Sequence, residues 1–113
     1  MSSSDKLNHE VLEECVLFNS VWNDLSKVWT IAIIHSLGIK EPVRFNELKR
    51  RINGISSTSL AERLKELEQR GIVERKVYPE TPPRVEYSLT KKGWELYTIV
   101  HQLGEWVKRW EKK

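Results

Sequence analysis

Residues 44–71 read Arg-Phe-Asn-Glu-Leu-Lys-Arg-Arg-Ile-Asn-Gly-Ile-Ser-Ser-Thr-Ser-Leu-Ala-Glu-Arg-Leu-Lys-Glu-Leu-Glu-Gln-Arg-Gly, and this stretch decides the fold. Asn46 suits a helix cap, and Leu48 and Ile52 follow four apart on one face. The pattern stops at Asn53-Gly54, a turn signal. Four hydroxyl residues, Ser56, Ser57, Thr58 and Ser59, then offer several caps, and Ser59 with Glu62 has the capping-box spacing. Leu60, Leu64 and Leu67 continue at helical spacing until Gly71. The polar face of this second helix shows Ser57, Thr58, Glu62, Arg63 and Glu66. A short helix, a glycine turn and a Ser/Thr-started helix make a helix-turn-helix.

Downstream the period changes to two. Val73, Arg75 and Val77 alternate with Glu74, Lys76 and Tyr78, and Val85, Tyr87 and Leu89 alternate with Arg84, Glu86 and Ser88. These are two strands joined by Pro79-Glu80-Thr81-Pro82-Pro83, a hairpin whose prolines stiffen the tip. Thr90 caps a last helix in which Leu96, Val100, Leu103, Val107 and Trp110 step by four and three. Ile99 and Trp106 lie beside that seam, so the helix carries two adjacent apolar stripes.

Upstream, Val11, Cys15, Phe18, Trp22, Leu25 and Trp29 recur at helical spacing. Asp24 and Ser26 are plausible caps, which divides this region into helices over about 8–22 and 26–37. The second is apolar on most sides, as a central buried helix is, and Gly38 suits its C-terminal stop. Glu41-Pro42 breaks the chain, and Val43-Arg44-Phe45 is long enough only for a brief strand.

The expected fold class is mainly α with a small β-hairpin wing (α+β), a winged helix-turn-helix with N- and C-terminal dimerisation helices. It forms one domain over 1–113, with residues 1–7 a flexible tail, 46–70 the helix-turn-helix, 72–89 the wing and 90–113 the C-terminal dimerisation helix. A chain of 113 residues supports one modest core. The longest nearly apolar run, Val28 to Ile34, is too short for a membrane span of roughly 20 residues. No signal peptide is legible at Met1-Ser2-Ser3-Ser4-Asp5, so the expected location is the cytoplasm, without membrane contact. One cysteine and three scattered histidines leave neither an intramolecular disulfide nor a metal site to expect. No nucleophile–base pair or phosphate loop is present, so neither an enzyme nor a cofactor is expected.

Charge is uneven. Residues 1–40 carry three Lys/Arg against five Asp/Glu, whereas residues 44–92 carry twelve against seven, a surplus of five. An anionic partner belongs at the middle of the chain. A helix fits the major groove of double-stranded DNA and reads base edges with its N-terminal residues. The candidate DNA-binding residues are therefore Ser56, Ser57, Thr58, Ser59, Glu62 and Arg63 on the recognition helix. Arg44, Asn46, Lys49 and Arg50, with Arg51, precede it, and Lys76, Tyr78 and Arg84 lie on the wing, within reach of a minor groove or backbone. The alternative from the same residues is a winged-helix module for protein–protein contact without specific DNA binding.

The runs Lys27-Val28-Trp29-Thr30, Arg44-Phe45-Asn46-Glu47-Leu48, Leu64-Lys65-Glu66-Leu67-Glu68, Gly71-Ile72-Val73-Glu74-Arg75 and Pro83-Arg84-Val85-Glu86-Tyr87-Ser88-Leu89-Thr90 resemble the HxlR-type transcriptional regulators, relatives of the MarR winged-helix group. The resemblance covers about residues 15–110. It implies a DNA-binding homodimer whose interface is made by the N- and C-terminal helices. Val11, Phe18, Trp22, Leu96, Val100, Leu103, Trp106, Val107 and Trp110 are the candidates for that interface. A twofold dimer calls for a near-palindromic operator with half-sites about one helical turn apart. The resemblance also makes Cys15 a candidate redox sensor, although Val16 follows it where the family has proline. The residue pattern alone reads Cys15 as a small buried hydrophobe. A small-molecule effector between the dimer helices is compatible with this plan, but no residue names one.

Overall fold

In a computed structural model, the backbone is described for residues 3–111 and the side chains for residues 13–111. The elements are α1 (Ser3–Leu25), α2 (Thr30–Ile39), β1 (Val43–Arg44), α3 (Phe45–Arg51), α4 (Ser57–Gln69), β2 (Val73–Tyr78), β3 (Arg84–Leu89) and α5 (Lys91–Glu111). The strands form an antiparallel sheet of order β1-β3-β2. Val73 pairs with Leu89 at the base of the β2–β3 hairpin, and Tyr78 pairs with Arg84 at its far end. The pairing of Val43 with Tyr87 adds β1 to the hairpin. Mostly helical, with a three-stranded antiparallel sheet behind a helix-turn-helix, this is a winged-helix architecture.

The core lies where α2, α3, α4 and the sheet base meet. Ile33, Ile34, Leu37, Leu48, Leu60 and Leu64 are all essentially inaccessible. On α4 the leucines at 60, 64 and 67 make one buried stripe, which leaves the Ser57–Thr58 face outward. On β2 only Val73 is buried, whereas β3 keeps Tyr87 and Leu89 in the core, so the hairpin packs inward through β3.

Several local features differ from the sequence reading. α1 starts at Ser3 and runs unbroken to Leu25, so residues 3–7 are helical rather than tail. α2 begins at Thr30, not near Ser26, because Trp29 takes a left-handed conformation (φ 80°) that no helix interior accepts. Gly38 lies inside α2 rather than ending it. A Cβ at Gly38 would come within 2.1 Å of the Tyr97 ring, so the glycine admits α5 rather than stopping α2. Asn46 lies in the first turn of α3, whose N-cap is Arg44. Val100, expected at a dimer interface, is buried in the chain's own core. Leu96 also packs against that core. The apolar seam of α5 thus changes partner along its length: its first half packs inward, and every residue from His101 to Glu111 is exposed.

Candidate nucleic-acid interface

α4 starts from a single hydroxyl. Ser56, in extended backbone, accepts a hydrogen bond from the Ser59 backbone N–H at 3.0 Å. This replaces the expected Ser59–Glu62 box, because the helix begins three residues earlier. Such a cap contributes about 1 kcal/mol. It also engages the Ser56 hydroxyl with the Ser59 backbone and leaves the exposed Ser57 and Thr58 side chains at the helix N-terminus. Gly54 makes the turn into α4 with φ 92°, a backbone favourable only to glycine, and the Trp29 ring lies against it.

The basic residues divide into those already used and those still presented. Arg51 donates to the carbonyls of Ser36 (3.2 Å) and Lys40 (3.0 Å) and pairs with Glu47, so it closes the end of α2 rather than facing outward. Arg44, Asn46 and Arg50 are exposed, and Lys49 is half-buried. Arg63 lies along α4 against Glu66 (2.8 Å) and Glu62 (3.4 Å), with only 19% of its side chain accessible. Glu62 itself is exposed.

On the hairpin, the Arg84 guanidinium sits 4.0 Å above the centre of the Tyr78 ring, and the Lys76 ammonium lies 5.5 Å from it. Glu80 (3.3 Å) and Glu86 (3.7 Å) flank Arg84. A cation held on a ring face is oriented before any partner arrives. The cross-strand pair Tyr78↔Arg84 explains the stack, since directly opposed side chains on antiparallel strands touch.

Two anchors were invisible in the sequence. Glu41 accepts from the Leu89 backbone N–H (2.6 Å) and from Trp94 Nε1 (3.0 Å), fixing the hairpin base to the start of α5. Asp24 and Lys27 reach from the end of α1 to Arg70 (2.6 Å) and Glu66 (2.5 Å) on α4. No spacing rule foretells partners 39 to 53 positions apart. The hydrogen bond from Arg70 holds the Asp24 carboxyl below its ordinary 3.8, and the one to Glu66 holds the Lys27 ammonium above its ordinary 10.5. A depressed Asp24 contributes above its unfolded value and loses that contribution as pH falls through the folded one. A raised Lys27 contributes below its unfolded value and loses it as pH rises through the folded one. Asp24 and Lys27 are therefore both charged throughout the neutral range.

Cys15 is a free thiol on the exposed part of α1, not the buried hydrophobe that the pattern suggested. It shares that region with exposed Val16, Leu17 and Phe18; Phe18 stacks on Trp22 at 5.9 Å. The Val11 side chain lies outside the described residues. Leu103, Trp106, Val107 and Trp110 are likewise exposed on α5. Among the described residues, no helix is long and apolar enough to cross a membrane.

A helix-turn-helix with a projecting two-stranded wing defines a protein of the winged-helix class. The match extends to a family: residues 25–113 fit the HxlR-like helix-turn-helix model, and the chain belongs to that family. It is 50% identical over 78 residues to an uncharacterised HTH-type transcriptional regulator of Halalkalibacterium halodurans, covering 69% of each chain. It is 46% identical over 93 residues to the HTH-type transcriptional regulator YodB of Bacillus subtilis, covering 82% of each. The solved reduced form of YodB superposes with a TM-score of 0.72 at 45% identity, over 83% of this chain and 91% of that one. The redox regulator HypR in its reduced form gives 0.76 at 36% identity, over 84% and 93%. The chain is thus a DNA-binding transcriptional regulator and not an enzyme.

Proposed function

We propose that the protein binds double-stranded DNA sequence-specifically as a homodimer on a near-palindromic operator. The observation that carries this reading is the outward first turn of α4, with Ser57 and Thr58 free of structural duty. Arg44, Asn46, Lys49 and Arg50 approach the phosphates beside it. Ser56, Ser59, Glu62 and Arg63 frame the same helix, and the wing brings Lys76, Tyr78 and Arg84 to the adjacent backbone or minor groove.

The homodimer is supported by shape and surface. The radius of gyration is 17.6 Å, against roughly 13 Å for a compact domain of this length. The excess lies in two overhanging helices, each with an apolar face: Phe18 and Trp22 on α1, and Leu103, Trp106, Val107 and Trp110 on α5. A lone soluble domain rarely leaves such faces in water. Val100 is buried in the chain's own core, and Leu96 is only partly exposed beside it.

Electrophoretic shift with the protein's own upstream DNA, at several salt concentrations and against scrambled competitor, tests the proposal. Tight binding that competitor fails to displace is expected. Arg84→Ala or Lys76→Ala should weaken binding on all sequences and reduce the salt slope by about one. Equal binding to scrambled DNA would favour the protein–protein alternative, and an unchanged slope would remove those two residues from the phosphate contacts.

Cys15 is proposed as the input. It is solvent-exposed on α1, and YodB and HypR are described in diamide-treated and oxidised forms. Diamide should lower operator binding in the native protein and leave Cys15→Ser unaffected. Equal loss in both would end the assignment.

A further inference from the structure

The overhanging α1 meets the proposed recognition helix at a polar junction. Arg70, the C-cap of α4, donates through Nε to Asp24 (2.6 Å) and through Nη2 to the Ser20 carbonyl (2.9 Å). One turn back along α4, Glu66 Oε2 accepts from Lys27 Nζ (2.5 Å), and Lys27 also lies 3.5 Å from Asp24. Another turn back, Arg63 Nη2 lies 2.8 Å from Glu66 Oε1. Residues 63, 66 and 70 share one face of α4. The last turn of α1 and the turn after it are therefore clamped to the C-terminal part of α4 at two successive turns.

The two oxygens of Glu66 serve different masters. One faces α1 through Lys27, and the other holds Arg63 along the helix. Held this way, Arg63 keeps only 19% of its side chain accessible. The clamp joins α4 and its C-cap to the end of the helix that bears Cys15 and the turn that follows it. A helix rises 1.5 Å per residue, so Cys15 lies roughly 14 Å along α1 from Asp24 and acts on it as a stiff arm.

We propose that Glu66 is a positioning residue for DNA recognition: with Lys27, Asp24 and Arg70 it sets the orientation of α4 relative to α1, and it withholds Arg63 from the phosphate backbone. This rests on the reading of α4 as the recognition helix. It implies that any rearrangement of α1 reaches the DNA-reading face through two ion pairs. Loss of Glu66 both loosens α4 and releases a cation.

The test combines operator binding with a readout that needs no DNA. In the full-length protein, Lys27→Ala should lower the ratio of operator to scrambled affinity about five-fold with an unchanged salt slope. Glu66→Ala should lower the ratio similarly and steepen the slope by about one as Arg63 meets a phosphate. The double variant should lose no more specificity than Glu66→Ala alone, and Lys27→Arg should retain the native ratio. Hydrogen exchange without DNA should show faster exchange across residues 63–69 in Lys27→Ala, with the α2 amides unchanged. Additive losses, or an unaltered slope in Glu66→Ala, overturn the proposal. So does unchanged exchange in a protein whose native form prefers its operator. A native protein with no operator preference sinks the functional reading instead, and the exchange result still decides the junction.

Discussion

Gly93→Ala should lower the thermal unfolding midpoint by about 10–20 °C, the equivalent of about 3 kcal/mol for a domain of this size. A Cβ at Gly93 would lie 2.1 Å from the Ile72 carbonyl oxygen and 3.1 Å from Leu89 Cδ2. The first neighbour is backbone and cannot rotate away. It also belongs to a tight joint. Thr90 Oγ1 donates to the carbonyls of Gly71 and Ile72 and accepts from the Gly93 N–H at 3.0 Å. Opening that joint to admit a methyl would separate α5 from the end of α4. Alanine normally improves a helix interior by about 1 kcal/mol over glycine, so propensity predicts the opposite sign. A scanning calorimetry trace showing an unchanged or raised midpoint would refute the close-packing argument.

Removing residues 104–113 should convert the proposed dimer to a monomer and reduce operator affinity by about a hundred-fold or more. The cut falls beyond Val100, the last buried residue of α5, so the core is untouched. It removes Trp106, Val107 and Trp110, three of the exposed apolar side chains assigned to the partner face. Two linked half-site contacts gain roughly 100- to 10,000-fold in avidity over one, and the truncated chain forfeits that gain. Sedimentation equilibrium reads the assembly state, and an electrophoretic shift reads the affinity. A truncated protein that remained dimeric would move the interface to α1 alone.

The fold was legible because its signals are local. The leucines at 60, 64 and 67 repeat at helical spacing, the hairpin alternates at period two, and Gly54 and Gly71 sit where backbone must turn left-handed. What escaped was decided by distant contacts. Gly38 reads as a helix stop until Tyr97 is seen against it. Val100 reads as part of a continuous seam, because periodicity gives the face of a helix and not where along its length the partner changes. Arg51 is indistinguishable in the sequence from Arg50, yet the carbonyls of Ser36 in α2 and of Lys40 just beyond that helix occupy it. At the candidate interface, pattern and charge pointed to the exposed first turn of α4 and to the hairpin cations Lys76 and Arg84. The Ser56 cap displaced the Ser59–Glu62 box because both spacings are permitted, and burial of Leu60 and Leu64 selects the register. The restraint of Arg63 by Glu66 had no pattern to reveal it, since an Arg–Glu spacing of three is ordinary on any solvated helix.

The Thr90 joint has a bearing on how such a regulator diverges. One hydroxyl ties the exit of the DNA-reading helix to the entry of the helix assigned to pairing. In the proposed dimer, the gap between two reading heads behaves like the opening of a caliper, set by the angle at which the arms cross and not by the tips. Operator spacing and operator letters would then be separately adjustable: changes near Trp106 should alter which spacing is tolerated, while changes at Ser57 and Thr58 should alter which bases are preferred. A lineage can retune one while keeping the other.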